Sequence, residues 1–176
     1  MATIDLIVLG MLKNESLSAY DIQKLVEYRN ISRWVKISTP SIYKKVIQLE
    51  EKGLINSVTM KEGKMPEKAV YSLTEAGERQ FEKLMMEIAG KPIHIFLDFN
   101  AVIVNLDSLP ADKQKSCLAN IEENVAKLKS YLQENILAKE NVPEIPETGM
   151  AVLHQQLILA QAIETWITSV KARLEN

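Results

Sequence analysis

The sequence predicts a mainly α chain with a small β-hairpin, in two parts: residues 1–90, where helices and hairpin follow in order, and residues 91–176, which are helical. Three observations carry this. Apolar residues recur at helical spacing at the start of the chain and again over long runs beyond Pro110. One stretch, Leu54 to Leu73, alternates and is rich in β-branched residues on either side of a turn holding Gly63 and Pro66. Helix start and stop residues (Ser18, Thr39-Pro40, Gly53, Thr74 and Gly90) stand where the apolar periods begin and end.

From Ala2 to Lys13, Ile4, Ile7, Val8, Met11 and Leu12 fall at helical spacing, with Leu6 and Leu9 widening the face, so a buried first helix is expected. Asn14-Glu15-Ser16 breaks it. Ser18 stands as an N-cap, and Asp21 three residues on completes a short-armed capping box. The second helix, Ala19 to about Tyr28, turns Tyr20, Ile22, Leu25 and Val26 inward. An irregular stretch around Trp34 leads to Thr39, which can cap, and to Pro40, tolerated in a first helical turn because its missing N–H is not needed there. The third helix runs to Lys52 and stops at Gly53, which supplies a left-handed residue. Its core stripe is Ile42, Val46 and Leu49, with Ile47 beside it, while Ser41, Lys44, Lys45 and Gln48 make a polar, basic outward face. Leu54–Met60 and Ala69–Leu73 read as strands joined across a turn with Lys61, Lys64 and Lys68. Thr74 caps a further helix, Glu75 to about Ala89, ended by Gly90 and Pro92.

That order is the order of a winged helix-turn-helix, and its physical logic fits DNA. A helix that offers its first turn to the major groove brings N–H groups and hydroxyls to phosphates and side chains to base edges, and wing lysines can neutralise the flanking backbone. The expected DNA-facing residues are Ser41, Tyr43, Lys44 and Lys45, with Thr39 on the phosphate backbone. Lys61, Lys64 and Lys68 either touch phosphate or form a solvated turn. Tyr20 either touches phosphate or packs inside.

Beyond residue 90, the apolar run Ile93–Leu106 has no decisive period. Pro110 opens a helix whose Leu118, Ile121, Val125, Leu128 and Leu132 form a heptad seam. Asn141–Thr148, with Pro143 and Pro146, is a connection, and the last helix runs from about Gly149 to Leu174. Leu153, Leu157, Ala160, Ile163, Ile167, Val170 and Leu174 line one stripe of it, and Val152, Leu159 and Trp166 a second. A terminal helix apolar over two stripes needs a partner to cover it. A homodimer through the C-terminal helices is therefore expected. It would also suit a palindromic double-stranded operator, whose half-sites lie about 34–36 Å apart.

Composition narrows the classes. With 47% hydrophobic and 25% charged residues, the 176-residue chain has the make-up of a folded globular protein. Net charge is −2, but residues 1–80 carry 12 Lys+Arg against 10 Asp+Glu, so the N-terminal part is the more cationic. Gln155, Gln156 and Gln161 interrupt the longest uncharged stretch of the C-terminal part, which argues against a membrane span. Asp5 within the first apolar run, with no basic leader, argues against a secretion signal. A cytoplasmic protein is expected. The single cysteine, Cys117, and the isolated His94 and His154 offer no metal set, and no cofactor is expected. No phosphate-cradling glycine loop, His-Glu-x-x-His or nucleophile elbow is present, so the chain does not read as an enzyme. The rival function is a winged-helix protein-interaction module without DNA binding, which salt-dependent affinity for DNA would separate from the first.

Three segments carry a more specific likeness. Thr39-Pro40-Ser41-Ile42-Tyr43 with Leu49-Glu50-Glu51-Lys52-Gly53-Leu54-Ile55 resembles the recognition helix of the PadR family of transcriptional regulators, and Leu17-Ser18-Ala19-Tyr20-Asp21-Ile22 and Val70-Tyr71-Ser72-Leu73-Thr74-Glu75-Ala76-Gly77 resemble its flanking elements. Ala19 stands where the family usually has Gly, and Glu67-Lys68-Ala69 makes a less basic wing. Phe96-Leu97-Asp98-Phe99-Asn100-Ala101 resembles the helical opening of the C-terminal domain in longer members, so a helix is expected there. The resemblance implies a homodimeric repressor, joined through its C-terminal helices and relieved by a small-molecule effector. Trp34, Phe96, Phe99 and Trp166 are the aromatic residues it suggests for an effector pocket.

Overall fold

The structure, a computed structural model, describes residues 2–35, 37, 40–61, 67–143 and 145–174; Thr39 and Lys64 lie outside the described residues. The chain forms two compact units, Met1–Ile93 and His94–Asn176.

In the first unit, α1 (Ala2–Leu12) is followed by a two-residue strand β1 (Leu17–Ser18), α2 (Ala19–Tyr28), a 3-10 turn at Ile31–Arg33, α3 (Ser41–Glu51), β2 (Ile55–Met60), β3 (Lys68–Leu73) and α4 (Glu75–Ala89). The sheet is antiparallel in the order β1-β3-β2, with Ile55 opposite Leu73 and Met60 opposite Lys68. The third strand is an addition to the expected hairpin: Leu17 pairs with Tyr71 and Ser18 with Val70. Two residues are too few for alternation to show in the sequence, so only the distant partner strand reveals it. Val8, Leu9, Ile22, Val26, Ile42, Val46, Leu49 and Ile55 form the core where α1, α2, α3 and the sheet meet.

The helix signals act as their chemistry requires. The Ser18 hydroxyl accepts from the Asp21 N–H at 3.2 Å, and Asp21 Oδ2 accepts from the Ser18 N–H at 3.1 Å, a reciprocal capping box. The Ser18 hydroxyl also donates to that carboxylate at 2.6 Å. These bonds to Ser18, with a smaller contribution from the charge of Lys68, outweigh partial burial and hold the Asp21 carboxyl below its ordinary range. At the other end of the motif, Gly53 adopts φ +69° and its N–H donates to Glu50 O at 2.8 Å, while the Leu54 N–H donates to Leu49 O at 3.0 Å. This is a Schellman stop. The Thr74 hydroxyl accepts from the Gly77 N–H at 3.1 Å and donates to the Gly53 carbonyl at 2.8 Å, tying the start of α4 to the end of α3.

The second unit begins with a departure from expectation. Residues 93–97 take no regular structure, and the expected helix is reduced to α5 (Asn100–Ile103) and a 3-10 turn at Leu106–Ser108. The apolar run splits: Leu106 is buried with Phe99 and Ile103 against it, whereas Ile93, Ile95 and Phe96 are exposed. No single helix face could satisfy both groups. Then come α6 (Ala111–Lys139) and α7 (Glu147–Leu174), antiparallel and clipped together by Lys171–Glu122 at 2.5 Å and Lys129–Glu164 at 2.6 Å. Leu118, Ile121, Val125 and Ile167 pack between them, with Ile163 and Val170 alongside. Leu128 departs from the predicted seam and is exposed, while Ile136 is buried. On a straight helix Leu128 sits about 50° from the middle of the buried stripe, at an edge that a single partner helix does not cover.

Candidate nucleic-acid interface

At 100° per residue, Ile42, Val46 and Leu49 occupy a narrow arc of α3, and all three are fully buried. Tyr43 lies about 100° and Lys44 about 160° from Ile42, so both look outward; Tyr43 is 44% exposed. Ser41, in the first turn, is half-buried. The same arithmetic corrects two expectations. Ile47 is exposed because it lies about 140° from Ile42, on the outward side. Lys45, assigned above to the outward face, lies only about 60° from Ile42. It is 7% exposed, and its ammonium pairs with Asp5 Oδ1 of α1 at 2.7 Å. Lys45 is part of the core and not of the outward face of α3.

Tyr20 departs from its expected inward place in the opposite direction. It is two positions, about 200°, from Ile22, and is 57% exposed rather than turned inward. Its ring lies beneath Lys24, whose Nζ is 5.5 Å from the ring centroid. Lys24 also donates to Glu27 at 3.2 Å, and Gln23 donates to the other Glu27 oxygen at 2.9 Å. The hydrogen bond and charge of Glu27 come first in holding the Lys24 ammonium above the usual lysine range, and Tyr20 and, more weakly, Tyr43 add to it. Lys24 thus stands within electrostatic reach of the outward tyrosines of both α2 and α3. It was absent from the expected set. A Lys at i+4 from an exposed Tyr was visible in the sequence, but only once Tyr20 is known to point outward does it count.

At the wing, Lys61 follows β2 and is exposed, and Lys68 is exposed at the base of β3 opposite Met60, close enough to Asp21 to act on its carboxyl. Exposed cations therefore stand on α2 (Lys24), on α3 (Lys44) and at the hairpin (Lys61 and Lys68), and Tyr20 and Tyr43 are exposed on the same two helices. Their chemistry suits an extended polyanion, with hydroxyls able to donate to phosphate oxygens.

Of the four suggested effector aromatics, Phe99 and Trp166 are brought together, stacked with centroids 5.7 Å apart at 23°. Phe96 is 86% exposed, with its ring 6.0 Å from that of His94. Trp34 belongs to the first unit and is partly exposed. A shallow cleft of about 240 Å³ in the second unit, lined by Gln114, Lys115, Leu118, Lys171 and Leu174 among others, includes none of the four. Among the described residues, no cluster of three His, Cys, Asp or Glu could hold a metal ion, and no helix is long and apolar enough to cross a membrane.

A helix with an outward basic and aromatic face, backed by two helices and flanked by a hairpin, is the build of a winged helix-turn-helix protein. Residues 8–83, within the winged unit, match the family described as the transcriptional regulator PadR-like family. Solved structures agree over nearly the whole length. Bacillus subtilis PadR in complex with operator DNA shares 20% identity and a TM-score of 0.83, covering 98% of this chain and 99% of that one. The same protein in complex with p-coumaric acid shares 18% identity and 0.83 over the same shares. The Vibrio cholerae virulence activator AphA shares 23% identity and 0.73, covering 98% of each chain. No curated protein matches the chain.

Proposed function

We propose that this regulator is a homodimeric, sequence-specific DNA-binding repressor, eased off its operator by a small-molecule effector, and that it carries no enzymatic activity. The observation that bears most weight is the outward face of α3, Tyr43 and Lys44 beside Ser41, with Tyr20 and Lys24 of α2 next to it. Tyr43 and Lys44 are assigned to base edges and nearby phosphates, Ser41 and Thr39 to the phosphate backbone, and Tyr20, Lys24, Lys61, Lys64 and Lys68 to phosphates on either side. Bacillus subtilis PadR, of like fold, has been solved with operator DNA and with p-coumaric acid, which favours both halves of the reading.

Dimer formation is assigned to the C-terminal helices. Leu128 and Leu137 on α6 and Ile158, Leu159 and Trp166 on α7 are all exposed, more apolar surface than a pair of helices ordinarily leaves to water. Two-fold symmetry then matches a palindromic operator. An effector acts only by binding one arrangement of the dimer better than the other. The stacked Phe99 and Trp166 are the proposed aromatic contact for it. The cytoplasm is the compartment assigned to it under this reading.

Footprinting on the DNA upstream of its own gene tests the reading. The wild type should protect a palindromic site, with affinity falling steeply as salt rises. The Ser41→Ala/Tyr43→Ala/Lys44→Ala variant should lose that footprint while remaining folded and dimeric. Failure of the wild type to bind any duplex at low salt would instead favour a protein-interaction module.

A further inference from the structure

Lys45 is the one buried cationic side chain among the described residues, and it lies on the helix assigned to DNA, next to Lys44. Its ammonium meets Asp5 Oδ1 at 2.7 Å, with both side chains largely withdrawn from water. Stability is a poor reason for such a pair. Removing two charges from water is costly, and apolar residues of similar volume usually serve as well or better. What a buried ion pair can offer instead is a restriction on how two elements pack, because each charge must stay beside the other; here the 2.7 Å approach is a charge contact, with no hydrogen bond aligned on Asp5 Oδ1. The rest of the contact between α3 and the core is the apolar arc Ile42, Val46 and Leu49, and apolar contacts are non-directional, tolerating small rotations of the helix. Asp5 sits on α1, which also packs Val8, Leu9, Met11 and Leu12 into the core and so provides a fixed reference.

We propose that the Lys45–Asp5 pair is a rotational latch: it fixes the azimuth of α3, and with it the bases that Tyr43 and Lys44 can reach. The inference rests on the DNA-binding reading above. At a radius of about 6 Å from the helix axis, a rotation of about 20° carries a side-chain tip about 2 Å, well outside the range over which a base-edge hydrogen bond survives. Phosphate contacts through long lysines absorb such a shift. Lys45 and Asp5 are therefore positioning residues, and the property they govern is discrimination between sequences more than affinity for DNA in general.

The test is selection from a random-sequence duplex pool with the full-length chain. The wild type should enrich one motif. The Asp5→Leu/Lys45→Met variant removes both charges and leaves neither unpaired. It should keep or raise its thermal midpoint and hold its affinity for unselected duplex within about twofold, while its preference for the wild-type motif over a scrambled duplex falls at least tenfold. A purely structural pair would not separate these measurements, and an unchanged preference overturns the latch. Should that variant fail to fold, Asp5→Glu keeps the pair but moves the carboxylate outward by one methylene. It should enrich an altered or degraded motif, and enrichment of the same motif to the same degree overturns the proposal. A wild type that enriches nothing removes the DNA-binding reading first, and the latch with it.

Discussion

Ser18 and Asp21 show how much a pair of small side chains decides. Together they satisfy the Asp21 N–H in the first turn of α2 and the N–H of its N-cap, Ser18, at the start of the helix that backs α3. Ser18→Ala should cost about 1 kcal/mol of stability, within the usual range for loss of an N-cap, read as a lower urea midpoint at unchanged slope. Because the folded carboxyl of Asp21 is held below its ordinary 3.8, the unfolded chain takes up that proton first on acidification. The contribution is fully present above that value and fades as pH falls below it. Ser18→Ala should therefore flatten the loss of stability in this acid range, since the hydroxyl is the largest cause of the depression. Lys24 bears on binding. Lys24→Ala should weaken DNA affinity about equally for all sequences and reduce the slope of log affinity against log salt by about 1, measured by fluorescence anisotropy at several salt concentrations. A change confined to one operator sequence would mean that Lys24 reads bases.

Elements begin and end here where local chemistry demands, and the joints between them are tight. The Cβ of an alanine at Gly77 would lie 2.0 Å from the Leu54 carbonyl oxygen and 2.7 Å from a Leu73 methyl. The oxygen belongs to backbone that already accepts from Thr74, so it cannot yield cheaply. Gly77→Ala should destabilise the winged unit by about 3 kcal/mol, the upper part of the range for overpacking, seen as an early unfolding transition. At Gly53 the constraint is conformational: nothing crowds a Cβ there, but φ is +69°. Gly53→Ala should cost about 1 kcal/mol. The caps and stops of α2, α3 and α4 were legible because each depends on residues within a few positions of the helix end. β1 was not, since Leu17–Ser18 is a strand only by virtue of Tyr71 and Val70, over fifty residues away. The run Ile93–Leu106 has no decisive period, and the helix expected there rested on a resemblance; much of its apolar content is exposed, so only the tertiary packing fixes its form.

For the whole molecule, the exposed apolar residues of α6 and α7 should be where two copies meet. Ile158→Lys/Trp166→Glu should shift the protein from dimer to monomer in sedimentation at micromolar concentration, and operator affinity should fall with it because each half-site then binds alone. The winged unit, whose core draws on none of these residues, should keep its circular dichroism.

The order of helices and strands, their caps, the outward place of Tyr43 and Lys44 and the likeness to a regulator family could all be read along the chain, since each follows from near neighbours and periodic spacing. The fate of charged and aromatic residues near a helix boundary could not. Lys45 and Asp5 each break an apolar pattern in their own helix, and each alone looks like a solvent-facing charge. Only when α1 and α3 pack does one charge meet the other, and the pair then makes tolerable a burial that neither could bear singly. Tyr20 went the other way: spacing alone sets it about 200° from Ile22, but its place beneath Lys24 is a contact that only the folded unit provides.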